Sequence, residues 1–205
     1  MRNHYSITEF LTTAYSLVLT KLFYKKARLI RRPFYIRGKS GLQFDEGLTT
    51  GHGCRYDLIG NKSKTLYIGK NCEMGDNVHI VAYEKVQIGD NCLMASKIFI
   101  SDTNHGDYSN RSEDSSPTSV PKDRPLITKP VSIGSNVWIG ENVCVLLGVT
   151  IGHGSIIGAN SVVNRDIPDN CIAVGSPAKV IKSYNFVSKR WEKISSENIT
   201  NKQPL

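Results

Sequence analysis

The run Val131–Asp166, VSIGSN VWIGEN VCVLLG VTIGHG SIIGAN SVVNRD, decides how the chain folds. Ile133, Ile139, Val145, Ile151, Ile157 and Val163 recur at intervals of six, and four of these six precede a glycine. Val or Ser stands two residues before each. Six is neither a helical period nor simple alternation; it suits a short strand followed by a tight corner. The aliphatic side chain points inward, and Gly or Asn beside it accommodates the positive φ of the corner. Asn136, Asn142 and Asn160 occupy such corners, as do Asn71, Asn77 and Asn91 earlier in the chain. Three hexapeptides close one triangular coil, which buries its face only by stacking on the next.

The same beat runs outward from this stretch. Ile68, Met74 and Ile80, then Ile88, Met94 and Ile100, carry it backward, with Gly69, Gly75 and Gly89 following. A fainter version passes through Ile36, Leu42, Leu48 and Cys54. The clear repeats make four coils and the degenerate segment a fifth, so the period predicts a mainly β solenoid, a parallel β-helix. The beat breaks once: 33 positions separate Ile100 from Ile133. Residues 104–130 are polar, carry Pro117, Pro121, Pro125 and Pro130, and must leave the coil as an excursion loop. That loop opens on Asn104-His105-Gly106.

The rest of the 205-residue chain fits one domain with a helix at each end. Apolar residues make up 40 %, and Lys and Arg number 26 against 18 Asp and Glu, a net charge of +8. This composition excludes a collagen, a wholly disordered chain and a polytopic membrane protein. The cations gather in Lys21–Arg32 and Lys179–Lys193, and no RNA-binding signature or zinc-finger spacing accompanies them, so nucleic acid is not the expected partner. Five widely spaced cysteines without a C-x-x-C suit free thiols in a reducing compartment. In residues 1–32, Ile7, Leu11, Ala14, Val18 and Leu22 recur at helical spacing, and Ser6 with Glu9 has capping-box spacing. The segment is too interrupted for a signal peptide and too short to span a bilayer. Two readings of this basic amphipathic helix stand: it packs on the body, or it lies on the inner membrane leaflet. Beyond Ile181, Tyr184, Val187, Trp191 and Ile194 fall on one side of an expected C-terminal helix, followed by a loose tail from Ser195.

The hexapeptide run, Asn104-His105-Gly106, the loop, Val137-Trp138-Ile139-Gly140 and Gly175–Ile181 together resemble the hexapeptide-repeat acyltransferases. The resemblance covers residues 33–194 and is nearest to the lipopolysaccharide O-antigen O-acetyltransferases in the galactoside and maltose O-acetyltransferase branch. It implies a left-handed β-helix over 33–182, a C-terminal helix and tail over 183–205, a homotrimer and acetyl-CoA bound between subunits. It implies His105 as general base, because a sugar hydroxyl is a poor nucleophile until its proton is being removed. Asp102 or Asp107 would orient the imidazole, with Asp102 preferred. The resemblance places Ala159, Asn164 and Arg165 along the coenzyme arm, Lys179 and Lys182 at its phosphates, and Trp138 beside the active site. Where close relatives carry a first histidine of the motif, this chain has Thr103.

Tyr83, Asn104, Tyr108, Arg111, Ser115, Ser116 and Arg124 are candidate saccharide contacts. His52, His79 and His153 read as structural, the last two at corners. The expected activity is acetyl transfer from acetyl-CoA to a hydroxyl of a bacterial surface polysaccharide or its precursor. It would take place in the bacterial cytoplasm or against the inner membrane. The competing reading is N-acetyl transfer to an amino sugar or antibiotic. A metal enzyme needs closely spaced histidines that this chain lacks, and the motif around His105 argues against a bare scaffold.

Overall fold

A computed structural model describes residues 6–59, 64–109 and 114–194. Its body is a parallel β-helix with three faces. The first face stacks Leu29–Ile30, Thr49–Thr50, Glu73–Met74, Leu93–Met94, Trp138–Ile139, Ile156–Ile157 and Cys171–Val174. The second stacks Phe34–Arg37, Cys54–Asp57, His79–Val81, Phe99–Ser101, Cys144–Val145 and Val162–Val163. The third stacks Leu42–Phe44, Leu66–Ile68, Val86–Ile88, Val131–Ile133 and Thr150–Ile151, with Ile167 bridging on at the end. The chain visits the first face seven times, two more than the five coils expected. The first coil starts at Leu29, inside the segment read as helix alone.

Two inward positions per hexapeptide build the core. One column on the second face runs Ile36, Tyr56, Ile80, Ile100, Val145 and Val163 in register. The other inward position lies two residues earlier and takes Cys54, Val78, Ile98 and Val143, all at most 1 % exposed. This corrects the faint early repeat. Leu42, Leu48 and Cys54 belong to the earlier position, and Phe44, Thr50 and Tyr56 hold the aliphatic column. A Thr and two rings in that column hid the period. The cysteines are small core residues: Cys54, Cys72 and Cys92 donate Sγ–H to carbonyls of the coil above. Burial pushes the Cys54 thiol up to about 11.

Asn71, Asn77, Asn91, Asn136, Asn142 and Asn160 all have φ between 54° and 59°. The glycines after the aliphatic position have a different cause from the one expected. They are not left-handed; a Cβ on Gly140 would stand 2.6 Å from the Ala159 nitrogen of the next coil. Coils about 4.8 Å apart leave no room there.

α1, Ile7–Phe23, closes the bottom of the stack. Ser6 and Glu9 form the expected capping box. The helix docks through its polar side: Thr20 Oγ1 accepts from Ile30 N at 2.9 Å and Ser16 Oγ from Arg32 N at 3.2 Å. These hydroxyls satisfy the N–H groups of the strand residue Ile30 and of Arg32 in the corner that follows, which would otherwise face no neighbour.

The C-terminal segment is not a helix. Lys179–Asn185 runs antiparallel to Cys171–Val174, and Arg190–Lys193 turns back on it. Tyr184 pairs directly with Trp191, rings 5.3 Å apart, and Phe186 abuts Tyr184 at 5.0 Å. Cross-strand aromatic pairing and cover for the last exposed edge favour the hairpin. The tail from Ser195 lies outside the described residues.

Candidate functional site

The excursion leaves the coil at the corner between the second and third faces. Thr103–His105 pairs antiparallel with Leu126–Thr128, setting His105 opposite Leu126. The loop therefore stands on a two-stranded stem, and His105 is exposed at its tip. Asn104 sits half-buried beside it, opposite Ile127. No ring nitrogen of His105 bonds to another described residue, so both are free to meet a substrate.

Asp102 does not orient that ring. It is fully buried, and its carboxylate accepts from the backbone N–H groups of Tyr83, Glu84 and Lys85 at 2.7–3.1 Å. It pins the stem to the corner of the coil beneath, and no hydrogen bond joins it to His105 among the described residues. Asp107 is bound within its own loop by the Ser109 hydroxyl and N–H, which together hold its carboxyl below the usual range.

Tyr108 and Arg124 also serve the loop. Tyr108 Oη donates to the His105 carbonyl at 2.9 Å and receives Arg124 Nη1 at 2.7 Å. Arg124 further binds Ser119 Oγ and the Ser119 carbonyl. Their polar atoms brace His105 instead of facing outward for a sugar. Gly106, at φ 103°, makes the fold-over fit: a Cβ there would stand 2.7 Å from the Tyr108 ring. Tyr83 stays half-exposed at the same corner one coil below. Arg111 lies outside the described residues.

The coenzyme candidates divide among three places. Trp138 projects from the first face, 51 % exposed, in an outward column with Leu93, Ile156 and Ile172. Lys182 pairs with Ile172 and so shares that side, about 14 Å from Trp138 at three strand spacings. Ala159 is exposed at the corner between the first and second faces, and Lys179 is exposed at the start of the hairpin. Asn164 and Arg165 lie at the next corner, between the second and third faces, two coils above Asp102. In a three-sided stack that corner is the vertex opposite the first face. One chain therefore cannot bring His105 and Trp138 together.

His153 Nδ1 meets the Ser135 N–H at 3.0 Å, and His52 Nδ1 the Arg32 carbonyl at 2.7 Å. His79 is not at a corner; it projects from a strand of the second face and binds Asp57 at 3.0 Å. That Asp57 cluster, with Arg55 and Arg37, escaped the sequence reading. Its members are 18 to 24 residues apart from strand to strand, and only the coil register assembles them.

A stack of coils built from six-residue repeats, interrupted once by a histidine-bearing loop, defines the class of hexapeptide-repeat proteins. The six-repeat model of the bacterial transferase hexapeptide matches residues 130–165. The chain is 42 % identical over 193 residues to the Escherichia coli K12 protein named "Putative lipopolysaccharide biosynthesis O-acetyl transferase WbbJ", covering 94 % of this chain and 97 % of that one. It is 38 % identical to the galactoside O-acetyltransferase of Escherichia coli over 62 % of this chain and 58 % of that one. A galactoside acetyltransferase solved with coenzyme A superposes at a TM-score of 0.55 with 28 % identity, over 95 % of this chain and 82 % of that one. The chain belongs to the hexapeptide-repeat acyltransferases.

Proposed function

We propose that the protein transfers acetyl from acetyl-CoA to a sugar hydroxyl of a bacterial surface polysaccharide or its precursor, with His105 as the base. The observation that carries this is the exposed imidazole at the tip of a braced stem, without a hydrogen-bond partner among the described residues. Identity of 42 % across nearly the whole chain to a protein named "Putative lipopolysaccharide biosynthesis O-acetyl transferase WbbJ" supports the choice of acceptor. A neutral ring nitrogen takes the proton of the acceptor hydroxyl as its oxygen attacks the thioester carbonyl. The tetrahedral intermediate collapses to the acetyl ester, and the imidazolium returns its proton to the departing thiolate of coenzyme A. Lys179 and Lys182 suit the coenzyme phosphates. His105→Ala should lower turnover by about 10²–10⁴-fold with coenzyme binding retained; turnover near that of the parent protein would remove His105 from the mechanism.

The working unit in this reading is a homotrimer. His105 on one chain meets Trp138 on the first face of its neighbour, which also covers the outward Leu93 and Trp138, 50 % and 51 % exposed.

Contact with an anionic inner-leaflet surface completes the reading. α1 buries Ser16 and Thr20 and turns its apolar side outward: Ile7, Phe10, Leu11, Val18 and Leu22 are each 59 % exposed or more. Lys21, Lys25 and Lys26 follow at its basic end. Among the described residues no helix is long and apolar enough to cross a membrane. Leu11→Gln with Val18→Gln should abolish sedimentation with phosphatidylglycerol vesicles; unchanged sedimentation would sink the membrane contact.

A further inference from the structure

The second face carries a charged pocket below the strand that leads to His105. Register puts Tyr35, Arg55, His79 and Phe99 in one outward column, with Arg37 and Asp57 beside it. Asp57 is 7 % exposed. Its Oδ2 accepts from Arg55 Nε at 2.7 Å and lies 3.0 Å from His79 Nε2, while Arg37 Nε stands 3.6 Å from Oδ1. Two guanidiniums therefore share one carboxylate, leaving a surplus positive charge before His79 is counted. Each guanidinium faces Asp57 through Nε alone. Their side chains are 65 % and 48 % exposed, and their Nη groups bond to no other described residue.

Arg37, Arg55 and Asp57 border a cavity of about 620 Å³ whose other walls include Phe34, Tyr35 and Gly53. That is ample for a sugar unit. Tyr35, 58 % exposed, offers a ring face, and Asp57 and the Tyr hydroxyl offer polar edges. The free Nη pairs offer the planar fork that matches a carboxylate or a phosphate. From Arg55 to Phe99 is two strand spacings, about 10 Å, and the strand of Phe99 runs on to the stem of His105. His105 lies six residues beyond Phe99, up to about 20 Å more along the chain, so an oligosaccharide of several units is needed to join the pocket to the base.

We propose that this pocket holds an anionic group borne by the saccharide acceptor, a sugar carboxylate or a sugar phosphate, and anchors it through Arg37 and Arg55. The inference rests on the sugar-transfer reading and names the acceptor's chemical class. It makes neutral glycans poorer acceptors than acidic ones.

The test is calorimetric titration of the full chain, saturated with coenzyme A to fill the coenzyme's own phosphate contacts. The probes are glucuronate, glucose 1-phosphate and glucose. At least one anionic probe should bind about tenfold tighter than glucose or better, and the tighter of the two identifies the group. Arg37→Gln and Arg55→Gln should each lose most of that preference. Arg55→Lys, which keeps charge beside Asp57 without the fork, guards against simple misfolding and should lose an intermediate part. Equal binding of all three probes, or variants that bind as the parent does, would overturn the pocket. Thiol release from acetyl-CoA separates the two readings. Transfer to saccharides without any dependence on Arg37 or Arg55 overturns the pocket alone. Anionic binding with transfer to no saccharide overturns the transfer reading alone.

Discussion

Gly106 shows how one residue governs the position of the proposed base. Its φ of 103° lets Tyr108 fold under the loop and hold the His105 carbonyl. In Gly106→Ala a methyl group meets that ring, and His105 is displaced. Because small misplacements of reacting groups are expensive, kcat should fall by about 10–100-fold while coenzyme affinity is kept; steady-state kinetics beside a coenzyme titration decides it. Asn142 makes the complementary case for stability. It sits at φ 59° and donates Nδ2–H to Asn160 Oδ1 at 2.9 Å, so Asn142→Ala should cost about 1–2 kcal/mol in denaturant unfolding. Among the described residues, six of the seven left-handed corner asparagines were legible in the sequence, because such a corner admits few residue types; Asn170, at φ 55°, follows the last clear repeat and was not. The roles of Asp102, Tyr108 and Arg124 were not. Sequence tells what a side chain can bond, but the direction it takes depends on the stem, whose pairing no local period records.

Among the elements, the second-face strands hold the Asp57 cluster. Burial pushes the Asp57 carboxyl up, but the Arg55 and His79 hydrogen bonds, with the Arg55 and Arg37 charges, outweigh it and hold it below the usual range. A carboxyl depressed in the folded state stabilises the fold above its unfolded value, near 3.9, and loses that contribution as pH falls through the folded value. Thermal melts of Asp57→Asn should therefore show a flatter decline than the parent below about pH 4; parallel curves would mean the cluster adds nothing. α1 depends on its small polar side. Ser16→Ala with Thr20→Val strands the N–H groups of Ile30 and Arg32, a loss of about 1–3 kcal/mol each. Protease nicking near residue 25 would then report a helix that has come loose. The helix itself was legible from its cap and period, yet the side that docks was not. A helix usually buries its apolar face, and here two hydroxyls capping a strand edge took that place. The terminal hairpin was misread for a related reason: the spacing of Tyr184 and Trp191 fits a helical face as well as a cross-strand pair.

The molecule as a whole is a three-sided column with His105 at one vertex and Trp138 on the face opposite. Six-residue periodicity makes this column legible, yet it says nothing about which side meets another copy. In the proposed ring of three, every site would take its histidine from one chain and its tryptophan from the next. That arrangement gives the assembly a signature no single-chain site can imitate. His105→Ala and Trp138→Ala should each be nearly inactive alone. Unfolded together in equal amounts and refolded, they assort at random into mixed rings. A site is then intact when a chain with His105 precedes a chain with Trp138, which happens for about one site in four. Recovery of about a quarter of the parent activity is expected, and it should be absent when the two variants are mixed without refolding. If refolded mixtures stay as inactive as either variant, the two side chains do not share a site across the subunit boundary.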